Sequence, residues 1–178
     1  MKKHGILLLL LIASVAVSLI LCGTVLAYMF RQTQYEDNHF TPAEVSCKVL
    51  ETFNGEEKTS IQIQNTGNID AYLRVRFVSY WVDAEGKIVA KPSVMPEIHM
   101  AAGWVMGSDN TYYYQESVAP EESTDSLLSS PILLEKDENG YLQVLEVFAE
   151  AIQSQPQGAV TSSWIVTVDS DGNITAAS

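Results

Sequence analysis

An antiparallel β-sandwich of jelly-roll type, set behind an N-terminal export segment, is the fold class that the sequence predicts. Three observations carry it. Residues 5–30 form an uncharged apolar run. Beyond them the dominant signal is period-two alternation rich in β-branched and aromatic residues. The alternating segments, about eight of them, are short and separated by turn clusters, the pattern of a sandwich or jelly roll rather than of a parallel sheet. There is no solenoid repeat and no heptad run.

The apolar run, GILLLLLIASVAVSLILCGTVLAYMF, follows Lys2, Lys3 and His4. Basic residues hold an N-terminus on the cytoplasmic side, and the run is long enough to cross a bilayer as a helix. The remainder is therefore expected outside the cytoplasm. Val25 and Ala27 put small side chains at the two positions that a signal peptidase reads, so cleavage there would make Tyr28 the first residue. The other reading keeps residues 1–27 as an uncleaved single-pass anchor with the C-terminal domain outside, because secretory apolar cores run only about 7–15 residues. Lipidation of Cys22 is not expected, since Leu21 is too bulky for a lipoprotein signal. The expected organisation is a leader at 1–27, an N-terminal arm at 28–44 and one sandwich domain at 45–178. The chain ends in DSDGNITAAS without an LPxTG-type signal, so attachment to the cell is expected through the N-terminus or non-covalently.

The full chain has 10 Lys and Arg against 22 Asp and Glu, a formal net charge of −12, and removal of Lys2 and Lys3 makes the exported part more acidic still. Such a surface repels nucleic acid and anionic headgroups and keeps a secreted protein soluble. Cys47 is then the one remaining thiol, which excludes an intramolecular disulfide.

Val45, Cys47, Val49 and Phe53 share one face of the first strand, opposite Ser46, Lys48 and Thr52, so Cys47 is expected to point inward as a small hydrophobe. Ile61 and Ile63 alternate with Ser60, Gln62 and Gln64 before the Asn65-Thr66-Gly67-Asn68 turn. The strongest strand follows, with Ala71, Leu73, Val75 and Phe77 facing one way and Tyr72, Arg74 and Arg76 the other. Val78, Tyr80, Trp81 and Val82 make both faces of its far end apolar, which predicts cover by a second layer or a partner. Asp83–Gly86 turns the chain into Lys87–Ala90. Residues 91–103 read as a loop, Trp104–Met106 and Thr111–Tyr114 as short strands around a turn, SVAPEESTDS as a loop, and Leu127–Leu134 as a strand with Pro131 at an edge or bulge. In Tyr141–Gln153 a helical spacing of Leu142, Leu145, Ala149 and Ile152 competes with Val144, Val147 and Phe148, and the neighbouring strands decide for a strand. Trp164, Val166 and Val168 lead into the Asp169–Asn173 turn, after which Ile174 begins a last strand.

Chemistry-bearing patterns are sparse. His39 and His99 belong to no HExxH pair, and Glu97 with His99 reads as a solvated loop pair. Asp169, Asp171 and Asn173 share part of a calcium-loop pattern, but the glycine falls one place early and the closing acid is missing, so a hairpin turn is expected. No GxSxG elbow or phosphate-binding glycine loop is present. No catalytic residue, metal site or cofactor is expected. Trp104, Tyr112, Tyr113 and Tyr114 form the one candidate contact surface, for a sugar or a partner chain, with strand-pairing aromatics as the alternative explanation.

Several stretches together resemble the TasA/camelysin family of Gram-positive exported proteins, processed by a SipW-type signal peptidase. They are GTVLAYMF at the leader's end, NTGNIDAYLRVRFVSYWVD, WVMGSDNTYYYQESVAPEESTDSLL, LQVLEVFAEAIQ and AVTSSWIVTVD, in that order. The resemblance implies a jelly-roll-like sandwich, a SipW-type peptidase as processing partner, a secreted or matrix location and, as in TasA, assembly into biofilm-matrix fibres. Camelysin-type members carry a metalloprotease label, but no ligand motif here matches it and no site residue is carried over.

Three functional expectations follow, in order: a non-enzymatic subunit or accessory of an extracellular fibre, a monomeric cell-surface binding module, and a camelysin-like metalloprotease. For the first, Tyr28, Phe30, Tyr35 and Phe40 lie in an arm that could complete the sheet of another copy or of another matrix protein.

Overall fold

The computed structural model describes residues 2–32 and 41–176. It divides into a helical unit, within Met1–Thr41, and a β-rich unit, Pro42–Ser178. The helix α1, Lys2–Gln32, contains one stretch long and apolar enough to cross a membrane, the 22 residues His4–Val25. Tyr28 and Phe30, expected to open an extended arm, lie in its last turns. Those last turns are too few to hold as a helix once cut from the preceding residues. Tyr35, Phe40 and His39 lie outside the described residues.

The second unit is antiparallel throughout. Strands β1 (Cys47–Phe53), β2 (Glu57–Asn65) and β7 (Ile132–Leu133) form one sheet in the order β1-β2-β7. The second sheet has β3 (Ala71–Val82) at its centre, with β8 (Leu142–Gln153) along one edge. On the other side are β4 (Ile88–Val89) and β6 (Tyr112–Tyr114), and β6 carries β5 (Trp104–Met106). A separate ribbon pairs β9 (Val166–Val168) with β10 (Ile174–Ala176), preceded by the short helix α2 (Gly158–Ser163).

Two cores lie against opposite faces of β3. Ile61 and Ile63 of β2, Leu73 and Val75 of β3, Trp104, Ile132 and Leu145 share the first, which both sheets line. Tyr72, Tyr113, Val160, Trp164, Val166 and Ile174 form the second, where α2 and the ribbon cover the outer face. Alternation along β3 therefore buries Tyr72 as completely as Leu73. At the other end Trp81 and Val82, on opposite faces, are both buried, but Val78 is 47% exposed, so the expected cover of the second face is incomplete. The 91–95 loop covers Trp81. Trp81 Nε1–H donates to the Pro92 carbonyl at 3.1 Å, and Lys91 lies 4.0 Å from the Trp81 ring centroid while pairing with Asp137 at 2.7 Å.

Three hairpin turns use one chemical device. In Asp83–Lys87, Asp137–Tyr141 and Asp169–Asn173 the aspartate Oδ1 accepts the N–H groups two and four residues on. The glycine at the fourth place takes a φ of +79°, +84° or +87°, which side chains with a Cβ avoid. Asp169 is thus committed to a turn. The Asn173 N–H holds its carboxyl below the ordinary carboxylate range.

Other departures from expectation have local causes. Phe53 is 47% exposed because a register shift between Thr52 and Phe53 takes it off the inward face. Of Leu127–Leu134 only Ile132–Leu133 is strand, although Leu127 and Leu128 are buried. The stretch before it, read as a loop, runs beside β2 and bonds to it irregularly. Thr124 N–H donates to the Ile63 carbonyl, Thr124 Oγ1 accepts the Ile63 N–H and Leu127 N–H donates to the Ile61 carbonyl. Trp164 ends α2 instead of opening a strand.

Candidate functional site

The β8 strand is the longest free edge in the molecule's described part. All twelve of its residues pair with β3 in continuous register, Leu142 with Val82 through Gln153 with Ala71. Its other edge is bonded only at the start, where Gln143 N–H donates to the Glu135 carbonyl and Leu142 bridges Lys136. From residue 144 to 153 that edge has no backbone partner among the described residues. Exposed edges are ordinarily blunted by charged side chains, lysine above all, by proline or by a bulge. LQVLEVFAEAIQ contains no lysine or proline, its charges are the two carboxylates Glu146 and Glu150, and the β3–β8 ladder has no bulge. The other sheet's edge strand, β1, has both Lys48 and the shift at Thr52/Phe53.

A groove of about 380 Å³ runs along this edge. Val49, Glu51 and Phe53 of β1 line one side and residues 143–147 of β8 the other, with Lys58, Tyr80 and Leu134 between them. Side chains from both faces of β8 reach it, as expected of a groove that follows a strand edge. Lys58, 5% exposed, donates to Glu51 Oε2 at 2.5 Å and lies 5.5 Å from the Phe53 ring centroid, so its buried charge is compensated. Burial, then the Glu146 carboxylate, pushes the Tyr80 hydroxyl's pKa up and keeps it a neutral donor. Cys47, half-buried beside the first core, has its thiol pushed up by burial and then by Glu150. This suits a packing residue more than a nucleophile.

The four aromatics of the expected contact surface do not form one exposed platform. Trp104 and Tyr113 are buried, at 3% and 0% exposure, and they belong to different cores. Residue alternation in β6 sends Tyr112 and Tyr114 toward the first core and Tyr113 toward the second. Tyr114 packs on Trp104 with ring centroids 5.2 Å apart, Tyr112 on Phe77 at 5.4 Å and Tyr113 on Trp164 at 5.7 Å. Tyr113 Oη and Thr111 Oγ1 both donate to Asp109 Oδ2, at 3.1 and 2.8 Å. Burial opposes the Asp109 anion, but these bonds outweigh it and its pKa is lowered. Only the half-buried edges of Tyr112 and Tyr114 remain for an external contact.

Glu97 and His99 stand 3.9 Å apart, both exposed, and among the described residues no group of three His, Cys, Asp or Glu is placed to hold a metal ion. Val25 and Ala27 lie within α1. Compared with known protein families, with curated proteins and with solved structures, the chain matches none. The free edge of β8 has no counterpart in the local sequence signals, because edge status follows from strand order. The absence of proline, glycine and lysine over twelve alternating residues is the one trace it leaves.

Proposed function

We propose that the protein is a non-enzymatic structural subunit or accessory of an extracellular fibre, in which an extended segment of one copy adds to the free edge of β8 in the next. The observation that carries this reading is that edge: ten residues long, free of lysine, proline and bulges, and bordered over residues 143–147 by a groove with mixed apolar and polar walls. Added strands gain affinity from main-chain bonds that the edge leaves unmade, and selectivity from alternate side chains entering a groove. Of the 28–44 arm, the segment from Tyr28 to Thr41, ahead of the bonds that hold Pro42 and Glu44 to Asn68, is long enough once freed from α1, at about 3.3 Å per residue, to follow the whole edge. A jelly-roll-like sandwich, with β1-β2-β7 as one layer and the β3-centred sheet as the other, is the architecture proposed for the subunit. The resemblance to the TasA/camelysin family supports the same reading, together with SipW-type processing and a secreted or matrix location.

The test compares exported 28–178 with a chain beginning at Pro42, where the compact unit starts, by light scattering and negative-stain microscopy. The longer chain is expected to assemble and the shorter to stay monomeric. Phe148→Lys, which adds a charge at a 48% exposed position on β8, is expected to suppress assembly without unfolding the domain. A longer chain that stays monomeric at all concentrations, or a shorter one that assembles equally well, refutes the proposal.

A further inference from the structure

We propose that a polar basin, formed where β3 begins and β8 ends beside the β9–β10 turn, binds a neutral polyhydroxylated ligand, a hexose unit of a glycan. The basin holds about 440 Å³. Its floor includes Ser154, 6% exposed, whose N–H donates to the Asp70 carbonyl at 3.0 Å. The Ser154 hydroxyl has no hydrogen-bond partner among the described residues. No polar side-chain atom there is both sealed from solvent and unpaired, so this hydroxyl opens into the basin that the residue lines. Beside it Tyr72 Oη donates to the Gly172 carbonyl at 2.7 Å, which ties the ribbon's turn to the sheet and fixes the basin's shape.

The lining selects the ligand class. No Lys, Arg or His lines the basin, while Glu116 and Asp171 do, so an anion is repelled. Two carboxylates are too few for a tight hard-cation site, which draws on six to eight oxygens with several charges among them. The Tyr72 ring is buried in the second core, so an apolar ligand finds almost no wall. Apart from Gly172, what remains is Ser117, Ser154, Gln155, Gln157, Ser170 and Asn173, residues with hydroxyl or amide groups that both donate and accept. Vicinal sugar hydroxyls require that combination, and the carboxylates add strong acceptors. Without an aromatic face for stacking, binding to one unit is weak and gains from repetition along a polymer.

The test is affinity electrophoresis of the exported protein through gels containing a mixed-linkage β-glucan, dextran, a galactomannan or a xylan. Asp171→Ala and Gln157→Ala change exposed side chains that make no hydrogen bond to the fold, and Ser154→Ala removes the floor hydroxyl. At least one polysaccharide is expected to retard the protein, with or without a chelator. Asp171→Ala and Gln157→Ala are each expected to weaken retardation about fivefold or more, the effect of losing roughly one hydrogen bond, at unchanged melting temperature. Ser154→Ala should weaken it similarly, with its own melting temperature as the control for folding. No retardation by any of the four, or retardation that the two surface variants leave intact, overturns the proposal. A calcium-dependent rise in melting temperature that Asp171→Ala abolishes also overturns it, by making the basin a cation site. Because the basin begins at Ser154, next to the end of the β8 edge, the electrophoresis is repeated with the chain beginning at Pro42, which lacks the arm, and its retardation tests the basin apart from the fibre reading.

Discussion

Replacing Asn65 with alanine should destabilise the domain by about 3–4 kcal/mol. The side chain is fully buried at the end of β2 and every polar atom is used. Nδ2 donates to the carbonyls of Ile69 and Val118, both at 2.8 Å, and Oδ1 accepts the Gly67 N–H at 2.9 Å. Each bond is worth roughly 0.5–1.5 kcal/mol net, and a buried group left unpaired costs about 1–3 kcal/mol more. The Val118 carbonyl keeps the Ala71 N–H, so the groups left unpaired are the buried Gly67 N–H and the half-buried Ile69 carbonyl. Asn65→Asp should cost at least as much, because it turns the two-proton donor into an acceptor facing two carbonyls. Asn68→Ala is the control, since Asn68 is exposed and water can replace its bonds. Urea unfolding followed by the fluorescence of Trp81, Trp104 and Trp164, all buried, reads the difference. With a slope of about 2 kcal/mol/M the midpoint should fall by nearly 2 M. A loss below about 1 kcal/mol for Asn65→Ala, or an equal loss for Asn68→Ala, would refute the assignment of Asn65 as the keystone of this turn.

Three further outcomes are expected. Cys47→Ala should cost about 1–2 kcal/mol, and the native thiol should alkylate more slowly than the unfolded one at neutral pH, which thiol titration with and without denaturant measures. Asp137, held at a pKa of about 2 chiefly by the Lys91 ammonium, stabilises the fold above its unfolded pKa near 4 and loses that contribution as the pH falls toward 2. Asp137→Asn should therefore lower the melting temperature at pH 7 and flatten its decline between about pH 4 and 2 in a calorimetric series. Exported protein should begin at Tyr28, as intact mass would show, and a membrane-bound product retaining residues 1–27 would identify α1 as an anchor.

The parts legible in the sequence are those set by short-range alternation. Ile61, Ile63, Leu73 and Val75 fall inside as their spacing demands. Tyr141–Gln153 is nearly all strand despite its helical spacing, because β3 offers it a twelve-residue partner. Relations between distant segments left weaker traces. The second core exists because α2 and the β9–β10 ribbon cover the outer face of β3, and that cover turns Tyr113 from candidate surface into interior. The 118–128 stretch lacks alternation because Thr124 and the Asn65 side chain make part of its bonds to β2. The basin was equally hidden, since residues from 72, 116, 154 and 171 meet only through the fold.

The entry of the chain into β1 has a mechanical consequence. Five hydrogen bonds fasten Pro42–Ser46 to the Asn65–Asn68 turn. Asn68 binds Glu44 through both its N–H and its Oδ1, and Pro42 through Nδ2, while Thr66 N–H and Thr66 Oγ1 meet Ser46. Gly67 leaves room for this, since a Cβ there would collide with the Glu44 carbonyl. Any pull on the N-terminus, from a bilayer or from a neighbour holding the arm, reaches the domain at Pro42 and is taken first by this clasp. Traction at the tether therefore has to open the clasp before it can peel β1 from β2, and it is kept away from the two cores until then.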